Sequence, residues 1–128
     1  MTLRVVRLGE PRHPQEGTRI GTVLRPPRGV RKERYAADDW FDVWYPDLAP
    51  SPELMRQGQA AVTEAEWKRF VRAFKAEMNV PTARRTLDLL AALSRDTDLS
   101  IGCYCSNEAR CHRSVLRDLL QQRGARFD

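Results

Sequence analysis

The stretch LSIGCYCSNEARCHRSVLRDLLQQRG, residues 99–124, decides the fold of this chain. Its first part, residues 99–105, is a short and largely apolar run of the length of a β-strand. Residues 112–124 place apolar side chains at helical spacing and end at Gly124, a typical helix stop. The apolar positions are Val115, Leu116, Leu119 and Leu120. The stretch therefore predicts a strand, a loop and a helix in that order.

Two further strands are predicted near the start of the chain. LRVVRL (3–8) and RIGTVLRPPRG (19–29) are short β-branched runs that end at glycine or proline. WFDVWYPDLAPSPEL (40–54) mixes aromatic residues with acids and prolines, so we expect it to pack irregularly across the core. The polar segment RQGQAAV (56–62) is predicted to be a flexible surface segment.

Two further helices are predicted in the middle of the chain. Thr63 and Glu66 form a capping box, and a continuous apolar stripe follows at helical spacing. The stripe consists of Trp67, Phe70, Val71, Phe74 and Met78. Pro81 can occupy the first turn of another helix that extends to about Arg95. Alternating strands and helices predict an α/β fold, with residues 1–128 as a single compact domain whose mostly parallel sheet is covered by helices.

Composition favours a globular protein with a well-solvated surface and no membrane span, since 41% of residues are hydrophobic and 30% are charged. The start MTLRVVRLGE lacks the long apolar region of a secretory signal, so we expect a cytoplasmic location. The net charge of +5 suits an anionic substrate or a nucleic acid. Because no recognised nucleic-acid motif accompanies the charge, nucleic acid is not the favoured partner.

All three cysteines of the chain lie within residues 103–111. Three thiols cannot all pair internally, and in a reducing compartment such a cluster indicates redox, nucleophilic or metal chemistry rather than a disulfide framework. Cys103 on the strand is expected to be a small buried hydrophobe, as free cysteine usually is. The cluster favours a functional site.

Cys111 is the leading candidate for a nucleophile. Ligands of open α/β sheets bind beyond the carboxyl ends of strands, where loops lead into helix N-termini. Cys111 would lie at such a helix start, among cationic groups that should lower the pKa of its thiol. These groups are Arg110, His112 and Arg113, and His112 is the candidate proton partner. Cys105 is a second candidate, because Arg110 closes the loop that follows it, as in sulfur-transfer enzymes and cysteine phosphatases.

The arginines of this loop are candidate ligand-binding residues. Arg113 near a helix N-terminus opposes the helix dipole, which is unfavourable unless an anion lies nearby. We therefore assign Arg110, Arg113 and Ser114 to an anionic or phosphate-bearing ligand. A salt bridge between Arg113 and Glu108 would instead make the arrangement purely structural.

A zinc site is the weaker alternative for the same residues. Three cysteines and His112 could nominally provide four ligands, but structural zinc sites generally use pairs of ligands that are separated by two to four residues. Here one pair is separated by a single residue and the other pair is adjacent. No metal ligand and no cofactor are therefore assigned, and a catalytic metal with fewer protein ligands stays an alternative.

Several segments resemble the domain-of-unknown-function 488 family of bacteria and archaea. They are RGVRKE, DVWYPDLAPSPEL, WKRFVRAFKAEM and CYCSNEARCHRSVL, and the similarity runs from about Arg19 to Leu120. The strongest motif is a cysteine, seven intervening residues and then Cys-His-Arg, matched by Cys103 and residues 111–113. A second match is Asp-Leu-Ala-Pro-Ser at 47–51.

The resemblance implies a compact α/β domain but no established activity. Members often carry Asp-Arg-Leu-Trp-Pro-Arg-Gly after the second strand, whereas this chain has VLRPPRG at 23–29. Val23 thus replaces the acid and Pro26 the tryptophan, which puts any chemistry of that acid in doubt. Arg28 remains, and it is expected to reach the cysteine loop from a neighbouring strand.

Two classes of function follow from these observations. The leading hypothesis is a small enzyme that holds an anionic small molecule with Arg28, Arg110 and Arg113. In that enzyme Cys111 or Cys105 acts as a thiolate beside His112. The competing hypothesis is a non-catalytic binding module, with nucleic acid as a candidate partner, in which the cysteines merely pack. The oligomeric state is left open.

Overall fold

The computed structural model describes residues 1–127, which contain four strands and four α-helices. The strands are β1 (Leu3–Arg7), β2 (Thr18–Gly21), β3 (Val43–Trp44) and β4 (Leu99–Cys103). The helices are α1 (Pro52–Ala60), α2 (Glu64–Glu77), α3 (Pro81–Leu93) and α4 (His112–Gln122). Short 3₁₀ turns lie at Lys32–Arg34, Pro46–Leu48 and Glu108–Arg110.

The four strands form one parallel sheet in the order β1-β4-β2-β3. Strand β4 lies between β1 and β2, so Leu99 pairs with Leu3 on one side and with Thr18 on the other. All five residues of β4 are buried. Parallel strands that are buried on both faces are typical of α/β folds. The predicted fold class, a mostly parallel sheet covered by helices, is confirmed.

One hydrophobic core joins the sheet to all four helices. Leu99 and Ile101 lie on the same face of β4, because side chains alternate along a strand. They pack in one cluster with residues from every helix. The main contributors are Leu54, Phe70, Phe74, Leu87, Leu116 and Leu120. No helix within residues 1–127 has both the length and the apolar character needed to cross a membrane.

The predicted flexible segment at 56–62 is wrong for its first five residues, which belong to α1. A start signal was present in the sequence, since the Ser51 hydroxyl caps the helix by accepting from the Leu54 N–H group at 3.4 Å. Only Leu54 of α1 is buried. The sequence of this helix is therefore mostly polar and shows no apolar periodicity from which a helix could be predicted. Gly58 lets α1 approach α2, because a Cβ there would lie 2.7 Å from the Phe70 ring.

Three strands, β1, β2 and β4, are shorter than predicted because their hydrogen-bonding partners end. The last pairs of the sheet are Arg7 with Cys103 and Gly21 with Gly102. The residues that follow β2 include two prolines, which cannot donate to a sheet ladder. The chain beyond β1, β2 and β4 therefore turns away, and these turns meet at the carboxyl edge of the sheet.

Candidate functional site

The start of α4 aims its first side chains into the protein. Cys111 is the N-cap residue, with extended backbone angles, and His112 is the first helical residue. Cys111, His112 and Arg113 are all at most 3% exposed. The predicted position of Cys111 at the helix N-terminus is thus observed. Burial rather than solvent exposure governs the chemistry of these three residues.

His112 is held in one tautomer by a backbone carbonyl. Its Nε2 lies 2.6 Å from the Thr22 oxygen, and because a carbonyl can only accept, Nε2 carries the hydrogen. In the neutral ring Nδ1 then presents a lone pair, and it lies 3.8 Å from Cys111 Sγ. Burial lowers the pKa of His112, although the bond to Thr22 opposes that shift. His112 is therefore a neutral acceptor at Nδ1.

The three thiols form a hydrogen-bonded group with very unequal acidity. Cys103 and Cys111 are buried, whereas Cys105 is exposed. Contacts with the thiols of Cys103 and Cys111, followed by the positive charge of Arg113, lower the pKa of Cys105 to about 2. The contact with Cys105, with burial, raises the pKa of Cys103 to about 11, although the contact with Cys111 opposes that shift. The contacts with Cys103 and Cys105, with burial, raise the pKa of Cys111. A negative charge in this group resides on Cys105.

Arg113 ties the cysteine loop to the sheet. Its guanidinium group donates to the Val6 oxygen at 2.5 Å and to the Cys105 oxygen at 2.7 Å. Its buried Nε has no hydrogen-bond partner in the part of the chain that the structure describes. The contact with Glu108 considered from the sequence is not made, since Glu108 lies 4.0 Å from Arg117 instead. The guanidinium thus faces backbone carbonyls.

Two other predicted ligand-binding residues, Ser114 and Arg110, make contacts with protein groups. Ser114 donates its hydroxyl hydrogen to the Cys111 oxygen at 2.8 Å. Arg110 forms an ion pair with Glu64 at 3.0 Å and lies over the Trp67 ring, 5.7 Å from its centroid. The structure therefore places the Arg110 guanidinium against α2.

A cavity of about 1010 Å³ opens at the carboxyl edge of the sheet. Arg7 at the end of β1, Tyr104 after β4, and Arg25 and Arg28 in the loop after β2 all contribute to its lining. Trp40 completes the aromatic wall, with its ring edge-to-face to that of Tyr104 at 5.9 Å. Arg28 thus lies in the loop after β2 rather than at the end of a strand, and it lines the cavity together with Tyr104 of the cysteine loop. The cavity is basic and aromatic, which suits an anion attached to an apolar or ring-bearing group.

The cavity wall is held by hydrogen bonds that leave two arginines free. The Tyr104 hydroxyl donates to the Arg25 oxygen at 2.8 Å, and Arg7 Nε donates to the Tyr104 oxygen at 3.1 Å. Within residues 1–127 neither the Arg25 nor the Arg28 guanidinium group has an ion pair or hydrogen bond. Among residues 1–127, Glu10 is the one acid in the lining, and it lies 3.8 Å from Arg7.

The thiol group lies directly behind this cavity. Leu8 lines the cavity and also packs in the cluster that contains Cys103 and Cys111. Tyr104 packs against the same cluster. None of the thiols nor His112 lines the cavity itself. Sequence reasoning missed Arg7, Arg25 and the two rings, although the end of a parallel strand is a position at which ligand contacts are expected.

A family model described as the active DUF488-N3 subclade matches residues 3–124. The chain belongs to this DUF488 family. The resemblance inferred from the Cys103 to Arg113 motif is thereby confirmed. No curated protein matches the chain. No solved structure matches it either.

The two departures from the DUF488 pattern lie on opposite sides of the cavity wall. Val23 is 4% exposed and packs with Leu8, Phe41 and the buried thiols. Its backbone oxygen accepts a hydrogen bond from Trp44 Nε1 at 2.8 Å. Pro26 lines the cavity instead. In this DUF488 protein, the side chain at position 23 is therefore part of the apolar cluster.

Proposed function

We propose that this chain is a small enzyme that binds an anionic, phosphate-bearing small molecule in the cavity at the carboxyl edge of the sheet. The observation that carries the proposal is the pair Arg25 and Arg28, whose guanidinium groups lack protein partners within residues 1–127 and line the cavity. Arginine binds phosphate oxygens through paired N–H donors. Such unpaired donors at the edge of a parallel sheet fit an anionic ligand.

The aromatic residues of the cavity favour a ligand that carries an apolar or ring-bearing group beside its phosphate. Trp40 and Tyr104 provide an apolar surface beside the arginines, and pockets for small molecules combine such surfaces with a few oriented polar groups. Burial raises the pKa of the Tyr104 hydroxyl to about 12, so this side chain stays protonated and neutral at pH 7. A phosphate with an attached ring or apolar group would contact both parts of the wall.

The proposed chemistry belongs to the thiol group behind the wall, with Cys105, Cys111 and His112 as the candidate reactive residues. Leu8 and Tyr104 lie between this group and the cavity, because both residues line the cavity and also pack with the cluster that contains Cys103 and Cys111. The matched family is described as an active subclade, which is in keeping with an enzyme. Among the sequence-predicted ligand contacts, Arg28 lines the cavity, whereas Arg110, Arg113 and Ser114 contact protein groups.

Calorimetric titration with pyrophosphate tests the binding proposal. We expect the Arg25→Ala/Arg28→Ala double variant to lose about tenfold or more in affinity, since each charge-assisted hydrogen bond contributes about 1.5–3 kcal/mol. The matched control is Arg84→Ala/Arg85→Ala, which removes two exposed arginines from α3 with the same change in net charge. Equal pyrophosphate affinity in all three proteins would refute the proposal.

The nucleic-acid alternative gives a different result in the same titrations. A binder of the phosphate backbone weakens steeply as salt rises, because it releases many counterions. A single-stranded oligonucleotide that binds more tightly than pyrophosphate, with a steep salt dependence, would replace the small-molecule proposal. A shallow salt dependence and preference for pyrophosphate would support it.

A further inference from the structure

Four metal-ligating side chains converge where β4 ends and α4 begins. Cys103 is the last residue of β4, Cys105 follows it in the loop, and Cys111 and His112 begin α4. One ligand atom from each of Cys103, Cys111 and His112 lies within 4.8 Å of the other two. Cys105 joins this group through its backbone N–H, which lies 3.4 Å from Cys103 Sγ. The fold thus gathers three sulfur atoms and one imidazole nitrogen.

The spacing between these atoms fits a tetrahedral ion. Bond lengths of about 2.3 Å for Zn–S and about 2.1 Å for Zn–N place neighbouring sulfur and nitrogen ligands about 3.6 Å apart. Cys111 Sγ and His112 Nδ1 are 3.8 Å apart. Direct adjacency in sequence, which argued against zinc, is therefore no obstacle here. The extended N-cap residue and the first helical residue aim their ligand atoms at a common point.

His112 is oriented as a metal ligand needs to be. Metal-bound histidines usually donate the other ring N–H to a carbonyl or carboxylate, which fixes the ring and the tautomer. Here Nε2–H donates to the Thr22 oxygen at 2.6 Å, so the Nδ1 lone pair faces the thiols. Within the described residues, the partner of this buried lone pair is the Cys111 sulfur.

The surroundings of the sulfur atoms suit thiolates. The Cys105 backbone N–H group lies 3.4 Å from Cys103 Sγ and can donate to it. The Arg113 guanidinium group binds the Cys105 oxygen, and so places a positive charge beside the loop. The N-terminus of α4 adds a partial positive charge at Cys111. These groups offset the negative charge that three thiolates would bring to a buried site.

We propose that Cys103, Cys105, Cys111 and His112 bind one divalent ion of the zinc class, with Cys105 as the ligand nearest solvent. Thiolate and imidazole ligands favour zinc over magnesium or calcium, which prefer oxygen. The ion would join the end of β4 to the start of α4. This inference does not depend on the anion-binding proposal, because none of the four ligands lines the cavity. It replaces the reactive role proposed for Cys105, Cys111 and His112, since side chains that fill a four-ligand zinc site are not free nucleophiles.

Metal analysis of the full chain, purified under reducing conditions without chelator, tests the proposal. We expect about one zinc ion per chain. Cys111→Ser and His112→Gln should each lower the metal content by at least tenfold under the same dialysis, since loss of a ligand weakens binding steeply. The matched control is His13→Gln, which changes the other histidine of the chain at an exposed position and should keep the metal.

A second measurement uses the unmutated protein, so that a folding defect cannot decide the result. Chelator-treated, reduced protein is titrated with Co²⁺, and we expect saturation at one equivalent with the visible absorption of tetrahedral cobalt and a thiolate charge-transfer band. Cys105→Ser should keep the tetrahedral signature with a weaker charge-transfer band, because one thiolate is replaced by an oxygen ligand.

Three outcomes would overturn the proposal. The first is fully reduced wild-type protein that neither contains zinc nor binds one equivalent of Co²⁺. The second is cobalt with the weak spectrum of octahedral oxygen coordination. The third is metal that Cys111→Ser retains and His13→Gln loses, which would place the ion on the surface.

Discussion

His112 and Thr22 lie ninety residues apart in the chain, yet His112 Nε2–H donates to the Thr22 oxygen at 2.6 Å. Thr22 directly follows β2, and both its N–H group and its hydroxyl donate to the Gly102 oxygen on β4. One side chain thus joins the first turn of α4 to the carboxyl ends of the two central strands. The end of the cysteine loop is therefore tied to the sheet through His112.

The first prediction concerns the stability that this contact provides. In the presence of chelator, His112→Ala should lower the free energy of unfolding by about 2–4 kcal/mol, since it creates a cavity and leaves the Thr22 oxygen unpaired. His112→Gln retains a terminal N–H donor and should lose less. Urea unfolding measures the difference, and His13→Ala should change the stability by less than about 0.5 kcal/mol. Wild-type stability in His112→Ala would contradict the prediction.

The second prediction separates a structural role of Arg113 from ligand binding. Arg113→Ala should lower the free energy of unfolding by about 2–4 kcal/mol, because it removes a buried side chain and two part-buried backbone carbonyls lose a charged donor. Arg113→Lys should restore only part of this loss, since one ammonium group cannot reproduce the guanidinium fork. Arg84→Ala on the surface of α3 is the control. If Arg113→Ala unfolds like wild type and loses pyrophosphate binding, Arg113 is a ligand contact instead.

The third prediction is a pH dependence from the buried pair Glu16 and Arg19, which are 2% and 1% exposed. Burial alone would raise the pKa of Glu16, but hydrogen bonds from Arg19, Ser100 and the His13 N–H group hold it below its usual value. Since the folded-state pKa is below the unfolded value of about 4.3, the carboxylate stabilises the protein above that pH. This stabilisation is lost as pH falls through the folded-state pKa.

Glu16→Gln tests that dependence. At pH 7 the variant should be less stable by about 3–5 kcal/mol, because Arg19 is left as an unpaired buried charge. The difference from wild type should shrink as pH falls below about 4.3, where the unfolded wild-type chain takes up a proton at Glu16, and it should be lost only below the folded-state pKa. Urea midpoints between pH 7 and pH 3 measure it, with exposed Glu33→Gln as the control. A difference that is constant over this range would contradict the assigned role.

The fourth prediction compares two glycines with similar backbone angles. Gly17 and Gly29 have φ values of +69° and +74°, in the left-handed region that favours glycine. A Cβ at Gly17 would lie 2.0 Å from the Asp98 carbonyl oxygen, whereas nothing lies within 4 Å at Gly29. Gly29→Ala should therefore cost about 1–2 kcal/mol from strain alone. Gly17→Ala should cost clearly more in thermal unfolding, and equal losses would contradict the clash.

Much of the fold could be predicted because its helices are indicated by patterns among neighbouring residues. The Thr63–Glu66 capping box, the proline at the start of α3 and the apolar spacing of α4 each correspond to an observed helix. Helix α1 was missed because a single buried leucine produces no periodic pattern. For the site, the strand-to-helix rule correctly located the cysteine loop at the sheet edge. The partners of its arginines could not be predicted, since they depend on β1 and α2.

The sequence by itself determined the α/β class, the position of the thiols before the last helix and the family motif around them. These features depend on periodicity, capping and spacing, which are properties of neighbouring residues. Only the tertiary structure decided that Arg113 faces the carbonyls of Val6 and Cys105, and that Nδ1 of His112 faces the thiols. The physical reason is that a buried polar group takes its partners from whichever strand packing brings near, and those strands are distant in sequence.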